Sequence, residues 1–480
     1  MSTVEADRAE PLARTGHRFL VVRLHFYAGL LVGPFLLIAA LTGGLYAVAP
    51  SIESWMYRDQ LHTANRGPAL PLADQVRAAQ DVRPDLVVSA VRPAERPSDT
   101  TRVMFTDPML GESETRAVFI DPVTGASTGE LTVYGSSGAL PVRTWLDNLH
   151  RSLHLGEPGR LYSELAASWL WVIALGGLWM WIRRYRRMRA QGSARARLLT
   201  VERTAKGRRR TLNRHGVVGI WIAVGLLFLS ATGLTWSTYA GANVDKLRAA
   251  LSWTTPSVST ELVPGGSTPM AGEHAGHHHP MTAAPAVAPS GTPIADLDRV
   301  LAAARDAGLD GPVQIGIPAE ATTAFTVAQT RQPWVLSNNA VAVDGATGTL
   351  TDVSWFADWP LAAKLSAWGI QLHMGTLFGL ANQVVLLALA VALVVLIVYG
   401  YRMWWQRRPT RCGFGRPPGR GALAAMGSAP AVATLLVAAG IGWFIPLLGI
   451  SLAAFLAVDV LIGQYRRRRG VRLDIPTATR

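Results

Sequence analysis

Cysteine is nearly missing from this sequence, since Cys412 is the only one in 480 residues. One cysteine cannot form an intrachain disulfide, and it cannot supply the thiolates of an iron–sulfur cluster or a Cys-rich zinc site. The sequence also lacks a Walker motif, a convincing Ser/His/Asp set and a dinucleotide fingerprint. Any metal or redox site must therefore use ligands other than cysteine.

Acidic residues are also scarce, with 32 Asp and Glu against 46 Lys and Arg, which gives a net charge of +14. Such a charge first suggests nucleic acid, but its distribution argues for a membrane. Segments 183–214 and 402–420 are rich in arginine, whereas 50–160 and 240–365 each carry more acids than bases. This alternation follows the positive-inside rule. We expect no nucleic-acid partner, cytoplasmic termini, and two segments outside the cytoplasmic membrane.

What the sequence has in abundance is apolar runs long enough to cross a lipid bilayer. They predict a polytopic α-helical membrane protein with about six transmembrane helices. The expected order is a cytoplasmic N-terminus (1–23), TM1 (24–49), a first outer domain (50–160), TM2 (161–182), a basic cytoplasmic loop (183–216), TM3 (217–239), a second outer domain (240–383) with a linker (255–293), TM4 (384–401), a second basic loop (402–422), a TM5–TM6 hairpin (423–463) and a cytoplasmic tail (464–480).

The two halves of the chain repeat each other. Alignment of His25 with His215 places Thr42-Gly43 opposite Thr232-Gly233, and alignment of His150 with His373 also matches several residues of the following helices. Those matches are Gly156 with Gly379, Gly177 with Gly400, Met180-Trp181 with Met403-Trp404, and Arg184 with Arg407. The repeat predicts a duplicated unit of helix, outer α+β domain and helix.

The outer segments repeat as well. Residues 117–131 and 340–353 each contain an apolar strand that ends in Asp, with a Gly four residues later and a second short strand. Asp-x-x-x-Gly is turn chemistry and predicts a hairpin in each segment. A candidate amphipathic helix precedes each hairpin, at about 72–79 and 294–304.

Four histidines stand at matching positions of this repeat. Neutral imidazole is a common metal ligand and an axial ligand to haem, so His25 with His215 and His150 with His373 predict an inner and an outer haem. Room for a macrocycle is expected beside glycines such as Gly29, Gly33 and Gly219. The alternative for the inner pair is an ordinary interfacial histidine that the repeat has inherited.

The outer pair has a possible substitute and possible partners. His154 lies four residues after His150 on the same helical face, but the second half has Leu377 there. The repeat therefore favours His150, and His154 could replace it or contact a propionate. Arg143 and Arg151 are further candidates to pair with the propionates.

The linker contains a second group of metal-ligating residues. Imidazole with thioether suits copper, while imidazole with carboxylate also suits zinc or iron. The alternative is a solvated polar tract without a ligand. The candidate ligands are His274, His277, His278, His279 and Met281.

Taken together, these motifs resemble the PepSY-associated transmembrane protein family. The matching features are the paired Leu-His stretches, the Thr-Gly pairs, the Met-Trp pairs followed by arginines, and the Asp-x-x-Thr-Gly hairpins. LHRSLHLGEPGRLYSELAASW, residues 149–169, is especially similar to the family pattern. The resemblance covers about 18–409, so the 423–463 hairpin lies outside it.

This resemblance implies a function for the four histidines. Similar members include inner-membrane reductases that release iron from siderophores, which implies haem b, electron flow across the membrane and reduction of ferric chelates outside. His25, His150, His215 and His373 are the ligands that it points to. The electron donor would be a cytoplasmic reductase or membrane quinol. The alternative is a non-enzymatic scaffold that regulates envelope peptidases or other partners, and it predicts no cofactor.

Overall fold

The computed structural model describes residues 3–193, 195–262, 294–407 and 426–468. These residues fold into two compact units, each assembled from separate stretches of the chain. The first unit is helical and comprises Met1–Leu45, Asn148–Leu247 and Val385–Arg480. The second unit contains a β-sheet and comprises Tyr46–Asp147 and Arg248–Val384.

Long apolar helices account for most of the first unit. They are α1 (Thr3–Leu31), α2 (Gly33–Ala47), α7 (Glu157–Ala190), α8 (Gly207–Thr235), α12 (Leu380–Trp405), α13 (Ser428–Phe444) and α14 (Pro446–Arg468). Within the part of the chain that the structure describes, four helices are long and apolar enough to cross a membrane, or five if α1 and α2 form one bent span. The prediction of a membrane protein with several apolar helices is confirmed. The count of six spans stays a prediction.

A bend of 59° separates α1 from α2, and Pro34 explains it. Proline has no N–H, so the carbonyl of Leu30, four residues earlier, loses its helical donor. The hydroxyl of Tyr401 in α12 replaces that donor, at 2.8 Å from the Leu30 oxygen. A Cβ on Gly33 would lie 2.8 Å from the same hydroxyl, so the bend depends on a glycine at this position.

Two acidic residues lie within the apolar runs, and both have partners. Glu164 of α7 is 1% exposed, and its carboxylate accepts the backbone N–H groups of Tyr239 and Ala240. It thereby caps the N-terminus of α9 (Tyr239–Ala250). Asp459 of α14 forms an ion pair with the buried Arg23 of α1. Both acids therefore stabilise contacts between helices.

The second unit is built on one antiparallel sheet of eight strands. Its elements are α3 (Ala49–Met56), α4 (Arg58–Leu61), α5 (Leu72–Val82), β1 (Val87–Arg92), β2 (Thr101–Thr106), β3 (Glu114–Ile120), β4 (Ser127–Tyr134), α10 (Leu297–Asp306), β5 (Val313–Gly316), β6 (Phe325–Gln329), β7 (Ala340–Val343), β8 (Leu350–Ser354) and α11 (Leu361–His373). A further helix, α6 (Pro141–Ser152), precedes α7. The strand order is β4-β3-β2-β1-β5-β6-β7-β8.

The two outer segments of the sequence meet in the middle of this sheet. Ala90 and Val91 of β1 pair with Gly316 and Ile315 of β5, so the order of strands is symmetrical about that pair. Helices α5 and α10 pack their apolar faces on the sheet in one shared core. The carboxylate of Asp298 in α10 also accepts two backbone N–H groups at the start of α5.

The two predicted hairpins form as β3–β4 and β7–β8. In each turn the leading Asp accepts backbone N–H groups with its carboxylate, and a Gly with positive φ closes the turn. The pairs are Asp121 with Gly125 (φ 75°) and Asp344 with Gly348 (φ 73°). The turn motif was therefore sufficient to locate both hairpins.

Replacement of Tyr401 by Phe tests the bend between α1 and α2. The Leu30 carbonyl then loses its donor, and we expect a loss of about 1–3 kcal/mol in stability, measured as a lower thermal midpoint in detergent. Pro34→Ala in the same chain restores a backbone donor and should recover part of the loss. Tyr399→Phe, two residues earlier on α12, is the control. Strictly additive effects of the two substitutions would contradict this explanation.

Candidate functional site

The inner histidines lie side by side in the first unit. His25 is on α1 and His215 is on α8, and the structure places the centroids of their imidazole rings 6.3 Å apart. The two ring planes are nearly perpendicular, at 82°. The repeat predicted that these residues were related, and the fold brings them together.

Each of these rings makes the same hydrogen bond to a neighbouring helix. His25 Nδ1 lies 3.0 Å from the Ile173 carbonyl of α7, and His215 Nδ1 lies 3.0 Å from the Leu396 carbonyl of α12. A carbonyl can only accept, so each Nδ1 carries the proton. In the neutral imidazole the lone pair is then on Nε2, which is the arrangement that metal-ligating histidines use.

The two acceptors hold matching positions in the sequence. Ile173 is 23 residues after His150, and Leu396 is 23 residues after His373. The alignment that relates the outer histidines therefore also relates the backbone groups that orient the inner ones.

Glycines from the opposite helices border these rings. A Cβ on Gly177 would lie 3.0 Å from His25 Cε1, and one on Gly400 would lie 3.8 Å from His215 Cε1. Gly29 and Gly33, the glycines that follow His25 in the sequence, have other surroundings. Gly33 makes room for Tyr401, while a Cβ on Gly29 would meet nothing within 4 Å. The alignment had paired Gly177 with Gly400, but their contact with the histidines was not predicted.

His150 of α6 is held by the Thr-Gly pair of α2. The Thr42 hydroxyl donates to the Ile38 carbonyl, at 2.9 Å, so its oxygen accepts from His150 Nδ1, at 2.9 Å. A Cβ on Gly43 would lie 2.9 Å from His150 Cε1. Burial lowers the pKa of His150 to about 4, so its imidazole is neutral at pH 7, as a metal ligand must be.

The other two histidines from the sequence differ in their settings. His154 is exposed and has a positive φ of 56°, in the turn between α6 and α7. His373 is half-buried at the C-terminal end of α11. It belongs to the second unit, whereas His150 belongs to the first, and their pairing stays a prediction.

The linker ligands His274, His277, His278, His279 and Met281 lie outside the described residues. Among residues 3–193, 195–262, 294–407 and 426–468, no three His, Cys, Asp or Glu side chains are grouped to hold a metal ion. The inner pair supplies two nitrogens, fewer than the three or four protein ligands of an ordinary metal site.

Alanine at the two bordering glycines should have opposite consequences. Ala is a better helix former than Gly by roughly 1 kcal/mol, so Gly400→Ala should leave the thermal midpoint unchanged or raise it. Gly177→Ala should lower the midpoint, because its Cβ presses on a ring that is fixed by the Ile173 carbonyl. Thermal unfolding in detergent measures both. Equal shifts in one direction would contradict this assignment of Gly177.

Comparison with known proteins identifies the family of the chain. The family model described as the PepSY-associated TM region matches residues 22–407, which leaves α13 and α14 outside the match. None of the curated proteins compared with the chain matches it. The family model spans most of the sequence and includes all four repeated histidines. The chain therefore belongs to the PepSY-associated TM family.

Proposed function

We propose that this protein is a haem-containing reductase of the cytoplasmic membrane. It would pass electrons outward to a chelated metal. The proposed substrate is ferric iron bound by a siderophore, with copper as the alternative metal. The observation that carries the proposal is the inner histidine pair, in which each Nδ1–H is bound to a backbone carbonyl.

The inner pair fits haem better than a bare metal ion. Two imidazoles on opposite sides of one metal, each with a metal–nitrogen distance of about 2 Å, place their ring centroids roughly 6 Å apart. In the structure the two ring centroids are 6.3 Å apart. His25 and His215 would hold the haem, which would supply the remaining metal ligands itself. A bound haem would supply a one-electron carrier.

The residues of this chain would perform the remaining tasks. The carbonyls of Ile173 and Leu396 hold the two rings and keep the lone pairs on Nε2. Thr42 does the same for His150, for which we propose His373 as the partner ligand at a second, outer haem. One haem near each face would let electrons cross a hydrocarbon core of roughly 30 Å in steps.

The proposed topology follows from charge and from the repeat. We propose six spans with cytoplasmic termini, and two copies of one unit in which a helix, an outer α+β segment and a helix follow each other. The matched contacts of His25 with Ile173 and of His215 with Leu396 support the duplication, as does the symmetrical strand order. The arginine-rich loops support a cytoplasmic donor side.

Reduction alone would suffice to release iron. Hard oxygen ligands hold Fe(II) less firmly than Fe(III), so a chelate weakens when its metal gains an electron. Such a reaction needs little acid–base catalysis, in accord with a site built from neutral imidazoles. The electron donor would be a cytoplasmic reductase or membrane quinol.

The optical spectrum of the purified protein tests the proposal. We expect a b-type spectrum in the dithionite-reduced minus oxidised difference, with about two haems per chain by pyridine haemochrome. His25→Ala or His215→Ala should halve the haem content, because each removes an axial ligand of one haem. His154→Ala, at an exposed turn, should retain it all.

Failure would be equally clear. If the wild-type protein binds no haem after expression with added haem, the reductase mechanism is wrong. The non-enzymatic scaffold then becomes the better explanation, and the histidines are structural. A haem content that none of the four repeated histidines affects would instead contradict the proposed ligands.

A further inference from the structure

The short helix α11 has an apolar stripe that the proposed function does not use. Leu361, Leu365, Trp368 and Leu372 recur at helical spacing along one face of this 13-residue helix. Leu361 is 68% exposed and Leu365 is 56% exposed. Large apolar side chains of α11 are therefore left uncovered by the rest of the described chain.

The helix α6 carries the matching stripe. The alignment of His150 with His373 also pairs the stripe residues of the two helices. The pairs are Val142 with Leu365, Trp145 with Trp368, and Leu149 with Leu372. Trp145 is 55% exposed. Single exposed apolar residues are ordinary, whereas a stripe that recurs at matching positions indicates a surface with a partner.

The C-terminal end of α6 is held against an apolar helix. His150 Nδ1 donates to the hydroxyl of Thr42, which lies five residues before Ala47, the last residue of α2. Five helical residues rise about 7.5 Å, so the contact lies within the apolar helix and not beyond its end. The membrane-length helix α7 then begins after residues 153–156.

The C-terminal end of α11 is fixed beside the start of another membrane-length helix. Asn382, in the first turn of α12, donates from Nδ2 to the Leu372 carbonyl at 3.0 Å. The Trp334 N–H donates to the carbonyl of Leu377, which lies between the two helices, at 2.7 Å. The rings of Trp334 and Phe378 are in contact, with centroids 5.1 Å apart. The helix and the loop that carries Trp334 are thereby fastened to the point where α12 begins.

The conformation of Trp334 also points to a contact outside the chain. Its φ is 71°, which is unfavourable for a bulky residue, and its side chain is 68% exposed. Tryptophan is enriched at membrane–water interfaces, because its ring is apolar and its indole N–H is polar. The loop of Trp334 borders the stripe, since the Trp368 indole donates to the Leu336 carbonyl at 2.8 Å.

The charges of α11 suit a lipid surface. The helix contains no acidic residue, and Lys364 is its one Lys or Arg. Lys364 lies between the two exposed leucines of the stripe, and its Nζ donates to the Ala357 carbonyl. A lysine in this position can keep its ammonium group among phosphates while its methylene chain covers apolar surface.

We propose that α6 and α11 are interfacial helices, which lie on the membrane surface at which the following spans begin and insert their apolar stripes, together with Trp334, among the lipids. The partner is the phospholipid bilayer itself, with acyl chains against the stripes and headgroups at Lys364. His150 and His373, in the last turn of each helix, would thereby be held at a fixed depth. Their use as haem ligands rests on the proposed function, whereas the contact with lipid does not.

Spin labels in vesicles test the proposal. Cys412→Ser removes the single cysteine, and Leu365→Cys on α11 or Trp145→Cys on α6 then accepts a nitroxide. The full chain, without added haem, is reconstituted into vesicles of phosphatidylcholine and phosphatidylglycerol. We expect collisions of each label with oxygen to exceed those with a water-soluble nickel chelate, at a depth of roughly 5–10 Å in the boundary between headgroups and acyl chains.

Val82→Cys in the same background is the control. Val82 is an exposed apolar residue of α5, which packs on one face of the sheet. Leu140, the residue before α6, packs on the opposite face. A label at Val82 should therefore collide mainly with the nickel chelate.

A second measurement avoids the label. The pair of substitutions Leu361→Gln and Leu365→Gln should lower the thermal midpoint in the same vesicles, because two amides replace side chains that contact acyl chains. Val82→Gln should leave the midpoint unchanged. If the stripe faced water, the two glutamines would also leave it unchanged.

Two results would overturn the proposal. Accessibility to the nickel chelate at either stripe position would show that the helix faces water. Shielding from both oxygen and the chelate would show that protein covers the stripe, such as a second copy of the chain. Haem takes no part in these measurements, so they remain decisive if the proposed function fails.

Discussion

Two hydrogen bonds from imidazole to helix backbone determine the geometry of the candidate site. Each fixes the tautomer of a histidine and the direction of its ring at once. The acceptor is a main-chain carbonyl, so it cannot rotate away as a side chain could. The position of Nε2 is therefore set by how α1 packs on α7 and how α8 packs on α12. Small residues at those crossings, such as Gly177, permit the approach.

These helices are apolar, so a polar group between them that loses its hydrogen-bond or ion-pair partner is destabilising. Glu164 caps α9, Asp459 pairs with Arg23, and Tyr401 satisfies the carbonyl that Pro34 leaves without a donor. The pair between Asp459 and Arg23 also joins α14, which lies beyond the family match, to the helix that carries His25. The additional hairpin is thereby tied to the part of the molecule that the family shares.

The sequence predicted the features that depend on local or repeated patterns. Apolar length predicted several membrane-length helices, turn chemistry located both hairpins, and the repeat related His25 to His215, which the fold brings together. It did not predict that Thr42 accepts a hydrogen bond from His150, because a Thr-Gly pair in an apolar helix usually indicates close helix packing. Gly33 was expected to make room for haem, whereas it makes room for Tyr401. Helical periodicity gives the face on which a residue lies but not the side chain that packs against it.

The pairing of β1 with β5 imposes an order on biosynthesis. Val91 and Ile315 are neighbours in the sheet but are separated by roughly 220 residues of chain, including two membrane-length helices. Until β5 emerges, the N-terminal half holds β1 as an unpaired edge, which can associate with other extended chains. The central seam of the sheet can therefore form only after β5 has been synthesised, later than the pairing of β1 with β2.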